Sequence, residues 1–261
     1  MASFLDSFFS LLGVDFRWRI LVEYAPLFMD GIRMTLMVTV IGVVMGTVLG
    51  LMSGMARLGE VKHGPWRYPV KYLIRLPAAA YVTFFRGTPL FVQILLIHFA
   101  LMPVLIHPTD GLLFTGDTAR HIKQEYGAFL SGIVALSLNA GAYISEIFRA
   151  GIQSLDKGQT EASRSLGLNY WQTMYHVVVP QAFRRMLPPL GNEAIMLLKD
   201  SSLISAIGLA ELAYAARTVA GAYSRYWEPY LAISFIYLIM TLLMSALVSH
   251  LEKRYGKGDS R

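Results

Sequence analysis

Residues 34–54 run for 21 positions without a charged side chain, and residues 229–249 do the same. Residues 87–106 give 20 more, and residues 128–145 give 18 before Glu146 interrupts. Crossing the hydrocarbon of a bilayer takes about 20 mostly apolar residues. A helix satisfies its own backbone there, so each stretch is expected to be a membrane-spanning helix. The rest of the chain agrees: 55% of residues are hydrophobic and only 15% charged, where soluble domains carry about 25% charged. With no cysteine, disulfides, thiolate zinc sites, iron–sulfur clusters and cysteine nucleophiles are excluded.

A fifth stretch, 186–210, is apolar but carries Glu193, Lys199 and Asp200. Charge distribution argues for it. Basic residues gather in three places: Arg57, Lys62, Arg67, Lys71 and Arg75; then Arg149, Lys157, Arg164, Arg184 and Arg185; then Lys253, Arg254, Lys257 and Arg261. Cytoplasmic segments carry the excess of Lys and Arg, and all three fall on one side only if two spans separate the second from the third. The sequence therefore predicts an all-α integral membrane protein with five transmembrane helices, at about 30–55, 82–106, 127–149, 186–208 and 229–249. Its N-terminus is expected outside and its C-terminus in the cytoplasm. Residues 1–27 form an N-terminal interfacial segment on the outer face, 28–252 the transmembrane domain, and 253–261 a basic cytoplasmic tail. The first 12 residues hold Asp6 but no Lys or Arg, unlike a signal peptide. Phe4, Leu5, Phe8, Phe9 and Leu12 suit a short amphipathic helix on the membrane surface.

Two features suggest a chain that does not work alone. Gly42, Gly46, Gly50 and Gly54 recur every fourth residue, a stripe that lets a second helix approach closely, within this chain or from another subunit. Ionisable groups inside spans are costly and face protein or a water-filled path. Here they are Asp30, Arg33, Arg86, Glu146, Glu193, Lys199 and Asp200. Five helices are few to shield so many, and an odd count forbids an inverted repeat. A subunit of a larger pseudo-symmetric assembly is expected.

The loop 152–185 carries helix punctuation. Asp156 and Gln159 have capping-box spacing, and 160–166 suits a short helix with Ala162 and Leu166 on one face. Gly167 fits a left-handed stop. Asn169 can cap a second short helix from Tyr170, and Pro180 is placed to start a third. Such a helix–Gly–helix knob lies flat on the membrane or docks a soluble partner.

These residues also carry a resemblance. Glu161-Ala162-Ser163, three residues, Gly167, nine residues, then Val177-Val178-Val179-Pro180 resembles the EAA loop of ABC importer permeases, E-A-A-x3-G-x9-I-x-L-P. The spacing matches throughout; Ser163 replaces an alanine, and Val177 and Val179 replace Ile and Leu. Three more segments resemble the polar amino-acid uptake branch: Phe85-Arg86-Gly87-Thr88-Pro89-Leu90 with Gln93, Leu138-Asn139-Ala140-Gly141-Ala142-Tyr143 with Glu146 and Arg149, and Leu198-Lys199-Asp200-Ser201-Ser202-Leu203. The resemblance covers about residues 28–254. It implies a type I importer permease in a bacterial inner membrane whose loop is a coupling helix seated on a cytoplasmic ATPase. Glu161, Ala162, Ser163, Leu166, Gly167, Leu168, Trp171 and Pro180 are then the coupling residues. The implied partners are two ATPase subunits, a second permease subunit, an external amino-acid binding protein, the amino-acid substrate and membrane lipid, with no nucleic acid among them. This chain has no GxxxxGK[ST] phosphate loop, so no cofactor is expected on it; ATP and Mg belong to the partner ATPase.

For the substrate path the candidates are Arg86, Thr88, Gln93, Asn139, Tyr143, Glu146, Lys199, Asp200 and Ser201. Gly87, Thr88 and Pro89 can break the second span, and the positive end of a half-helix suits a substrate carboxylate. Asn139, Tyr143 and Glu146 recur at i, i+4 and i+7 and share a helix face. Helix–helix hydrogen bonding competes with path lining for Asn139 and Tyr143, pairing with Glu146 competes for Arg86, and a buried structural pair competes for Lys199 and Asp200. Rival functions are a secondary transporter, a channel subunit and, less well supported, a membrane-embedded enzyme. The six histidines form no HExxH motif.

Overall fold

The computed structural model describes residues 16–58, 64 and 67–255. The expected amphipathic helix around Phe4–Leu12, Lys62, and the tail beyond Tyr255 lie outside them. Among the described residues the fold is helical, and its one extended pairing is an isolated bridge between Ile106 and Phe114. The helices are α1 (Trp18–Glu23), α2 (Ala25–Leu58), α3 (Val70–Gly87), α4 (Leu90–Leu105), α5 (Gly116–Gln153), α6 (Lys157–Ser165), α7 (Tyr170–Thr173), α8 (Val179–Asp200), α9 (Leu212–Tyr223) and α10 (Trp227–Tyr255).

The glycine stripe packs within the chain. Gly42, Gly46, Gly50 and Gly54 are all buried, and α5 runs along them. A Cβ on Gly46 would stand 2.8 Å from the Ala140 Cβ, and one on Gly50 2.6 Å from Ile144 Cγ2. In lipid, helices gain nothing hydrophobic by associating, so close van der Waals packing of this kind is what holds them. The opposite face of α2, with Val40, Val44 and Val48, is exposed. Gly50→Val is therefore expected to lower stability by about 1–3 kcal/mol through overpacking. Val44→Ala should change it by less than about 0.5 kcal/mol. Thermal unfolding of both variants in detergent checks the contrast.

The second expected span is broken. α3 ends at Gly87, Thr88 and Pro89 are extended, and α4 leaves at 112° to α3. Proline disfavours helical backbone in the residue before it and has no N–H to give, so the chain cannot carry one helix through 82–106. α5 begins at Gly116 rather than 127, which makes part of the expected outer loop helical. At 38 residues it is about 57 Å long, more than a bilayer core requires.

The segment 211–228, expected to be a connector, contains helix α9. Leu212, Ala215, Ala216, Val219 and Ala220 are its buried face, wedged between α2 and α10. Glu211 caps it, accepting from the N–H groups of Ala213 and Tyr214 at 2.8 Å each and from the Tyr237 hydroxyl at 2.9 Å. Its side chain has no exposure to solvent, and those three donors replace the water it lost. α9 approaches α2 so closely that a Cβ on Gly31 would stand 2.9 Å from the Leu212 Cα.

Helices α2, α5 and α10 are long and apolar enough to cross a membrane, and the bent pair α3–α4 brings the number to at most four. α8 is long enough as well, at 22 residues, but Arg184, Arg185, Glu193, Lys199 and Asp200 spoil its apolar run. A 3-10 turn, Ser201–Ile207, continues it to the left-handed Gly208. Two apolar clusters fill the interior: one joins α2, α4, α5 and α8, the other joins α1, α2, α8, α9 and α10.

Candidate functional site

The elbow between α5 and α8 is built largely from local signals. Asp156 caps α6, accepting from the Gly158 N–H at 2.8 Å. Its expected partner in a capping box goes elsewhere: the Gln159 side chain accepts from Gln181 Nε2 at 3.4 Å. Gly167 then turns the chain at φ 81, a left-handed conformation that costs other residues about 1–2 kcal/mol. Asn169 caps α7 with a full capping box, paired with Gln172 in both directions at 2.9 Å. Leu166 and Trp171 flank this turn and are 83% and 78% exposed. Glu161 and Ala162 are exposed beside them, Leu168 is half-buried, and Ser163 is buried, its hydroxyl donating to the Gln159 carbonyl.

Pro180 does not start a separate helix. The backbone stays helical from α7 through a π-helical turn, Met174–Val178, into α8. Pro180 cannot donate to the His176 carbonyl, and its ring crowds that group; a widened turn relieves the conflict without ending the helix. The elbow is firmly tied to what lies above it. Arg185 Nη1 donates to the Ser154 carbonyl at 2.6 Å, and Met186 crowds Gly151, so closely that a Cβ there would stand 2.3 Å from the methionine Cγ. α5 and α8 thus converge immediately above the elbow.

About 10 Å further up α5, two helical turns above Gln153, Glu146 gathers three guanidinium groups. Arg57 Nη1, from the last turn of α2, stands 2.5 Å from Oε1. Arg149 Nη2 stands 2.6 Å from Oε2, and Arg86 Nη1, from the end of α3, stands 3.8 Å from Oε1. Arg86 also lies over the Tyr143 ring, 5.3 Å from its centre. The cluster thereby ties α2, α3 and α5 together at one level.

Other candidates are committed to structure. Asn139 is buried and donates to Gln93 Oε1 at 2.9 Å and to the Phe85 carbonyl at 3.3 Å. Gln93 in turn donates to the carbonyls of Phe85 and Thr88, at 2.8 and 2.9 Å. These are carbonyls that a helix end leaves without partners, and in a membrane they must be satisfied from within. Gln93 and Asn139 therefore staple the break in the second span, and the Thr88 hydroxyl back-bonds to Phe84. Ser201 is fully buried, its hydroxyl donating to the Leu198 carbonyl at 2.7 Å. Lys199 is exposed and Asp200 half-buried, on different sides of α8.

Two residues were missing from the expected site. Arg57 counted only as a loop charge, yet it lies three residues beyond Gly54, where the stripe continues along α5 toward Glu146. Glu193 stood among the membrane charges without a role. It is buried one heptad before Asp200, on the same face of α8, and feels the charges of both Asp200 and Arg86. Arg86, with Tyr143 beneath it, Glu146, Glu193 and Asp200 are the candidates not taken up by the stapling hydrogen bonds.

Comparison with known proteins fits this arrangement. Residues 71–257 match the family described as binding-protein-dependent transport system inner membrane component. The glutamine transport system permease protein GlnP of Escherichia coli is 35% identical over 241 residues, covering 92% of this chain and 98% of that one. The arginine transport system permease protein ArtQ of Bacillus subtilis is 31% identical over 238 residues, covering 91% and 96%. Among solved structures, an amino acid ABC transporter crystallised with histidines has 38% identity and a TM-score of 0.76, covering 92% of this chain and 99% of its own. The matched span includes the helix break, Glu146 and the elbow. The chain therefore belongs to the family of binding-protein-dependent transport system inner membrane components and is the permease of an ABC transporter.

Proposed function

We propose that this permease carries a polar amino acid inward across a bacterial inner membrane, driven by ATP hydrolysed on a separate subunit. The observation that carries the reading is the elbow. A rigid knob, capped at Asp156 and Asn169, presents bare Leu166 and Trp171 to the space beyond the helices. Two exposed large apolar side chains close together on so small a turn suit a partner surface, and α5, one of the helices leaving the knob, carries Glu146.

In this reading α8 is the fourth of five spans, its charges turned toward protein and path, with the N-terminus outside and the tail in the cytoplasm. Two ATPase subunits grip the elbows of two permeases, and an external binding protein delivers the substrate. ATP and Mg are held by the ATPases. Glu161, Ala162, Ser163, Leu166, Gly167, Leu168 and Trp171 form the elbow, and Pro180 with its widened turn joins it to α8. Arg86 meets the substrate carboxylate, while Glu193 and Asp200 meet its ammonium group. Tyr143, Lys199 and Glu146 complete the path; Thr88, Gln93, Asn139 and Ser201 hold its walls in place. Relatives carrying glutamine, glutamate and aspartate, and arginine support the amino-acid class.

The test is reconstitution of the permease with its ATPase and binding protein in proteoliposomes, followed by uptake of radiolabelled glutamine, glutamate, arginine and histidine. Uptake of at least one is expected only with ATP inside the ATPase-facing compartment and binding protein on the other side. Uptake driven by an ion gradient without ATP would overturn the reading.

A further inference from the structure

A recess of about 490 Å³ opens between the lower ends of α2, α3 and α5. Its walls carry Arg57, Lys71, Arg75 and Arg149, with Leu76 and Ala79 between them. Among the described residues the contacts seen leave cations in excess. Arg57 and Arg149 share one carboxylate, Glu146, with Arg86, so three guanidinium groups are set against a single negative charge. Lys71 adds another cation, and the partner seen for it is the ring of its neighbour Tyr72, 5.4 Å away.

The surface beside the recess is of a different kind. Along the π-helical turn Val70–Arg75 and just after it, Tyr72, Leu73, Ile74 and Leu76 are exposed. Tyr68 stacks on Tyr72 at 6.5 Å between ring centres. Aromatic and basic side chains together mark the headgroup level of a membrane, and bare leucine and isoleucine next to them suit acyl chains. A free inorganic anion has use for the cations but none for the apolar ledge.

From this juxtaposition we infer that the recess binds the phosphodiester headgroup of an anionic lipid, whose chains lie along Leu73, Ile74 and Leu76. Basic pockets between membrane helices on the cytoplasmic side take such headgroups, and two neighbouring Arg forks offer paired donors to phosphate oxygens. A bound lipid bridges α2, α3 and α5 at the level where Glu146 ties the same helices. The inference does not depend on which amino acid is carried.

The test uses the intact transporter complex in nanodiscs of phosphatidylcholine with phosphatidylglycerol mixed in, with native mass spectrometry reading the lipid kept after partial delipidation. Phosphatidylglycerol is expected to be retained over phosphatidylcholine. Each cation near the surface contributes about a fivefold preference, so Lys71→Gln should weaken retention about fivefold and Lys71→Gln with Arg75→Gln about 25-fold. The pair Lys71→Arg with Arg75→Lys should retain lipid as the parent does. Lys71 is exposed, so the single variant folds and keeps the result decisive if the double one does not. Equal retention of phosphatidylglycerol by the parent and by Lys71→Gln would overturn the inference. Displacement of the lipid by inorganic phosphate at low millimolar concentration would likewise overturn it, in favour of a soluble anion.

Discussion

Gly167→Asp is expected to leave the permease folded and inserted but to cut ATP-driven uptake by more than about a hundredfold. The reason lies in what surrounds the residue. A Cβ placed on Gly167 meets nothing within 4 Å, so the chain itself has room for any side chain there. The cost inside the permease is the left-handed backbone at φ 81. That is about 1–2 kcal/mol for most residues and less for aspartate, which tolerates this region. Stability should therefore barely move. If the elbow sits in a groove of an ATPase, a carboxylate at its turn must be desolvated there or must push the contact apart, at several kcal/mol. Gly167→Asn, uncharged and equally tolerant of the backbone, should keep most uptake; Gly167→Ala should lower stability by about 1–2 kcal/mol from backbone strain and also keep most uptake. Uptake and ATPase assays on reconstituted complexes, with thermal unfolding alongside, separate the three. Equal uptake by the Asp and Asn variants would remove the case for a partner at this turn.

Features written in consecutive residues were legible in the sequence. The caps at Asp156 and Asn169 and the stop at Gly167 each act within three or four positions, and each stands where the spacing places it. The break after Gly87 was legible for the same reason, because Thr88-Pro89 cannot remain helical; its 112° bend depends on Gln93 and Asn139, and Asn139 lies far away in sequence. Pro180 was misread because proline so often opens a helix that its rarer accommodation, a widened turn, left no separate mark. α9 was missed although Leu212, Ala215, Ala216, Val219 and Ala220 have helical spacing, since a segment between two spans reads first as a connector. Its cap is a glutamate, which the usual Ser, Thr, Asp or Asn cap signal passes over. Arg57 and Glu146 are 89 positions apart, and only the register of the glycine stripe could have joined them. α8 falls short on the apolar measure because Arg184, Arg185, Glu193, Lys199 and Asp200 interrupt it, as charges do in a helix that faces protein or water on one side.

Glu146→Gln carries the other large expectation, and it bears on how the elbow's movement reaches the substrate. The Glu146 side chain is 17% exposed and those of Arg57 and Arg149 are 20% and 34%. Removing the carboxylate leaves the Arg57 and Arg149 guanidinium groups facing each other with reduced access to water, and the more exposed Arg86 close by. Breaking a buried pair from one side costs about 3–5 kcal/mol, and partial access to solvent brings the expectation here to about 2–3 kcal/mol. Pairing the change with Arg57→Gln removes one of the repelling cations and should recover much of that stability. Uptake should not recover with it. Gln153 ends α5 at the elbow, Arg185 clamps α8 to the same point, and Glu146 rides on α5 while Arg57 and Arg86 ride on α2 and α3. If the elbow is pulled, the carboxylate on α5 is expected to move relative to Arg57 and Arg86, so that the two states of the path differ in how many arginines it holds. Coupling needs such a difference, because ATP or substrate shifts only an equilibrium between states it contacts unequally. The double variant should therefore melt close to the parent while transporting at under about a tenth of its rate, with ATP hydrolysis continuing. Recovery of uptake in step with recovery of stability would reduce Glu146 to a structural tie.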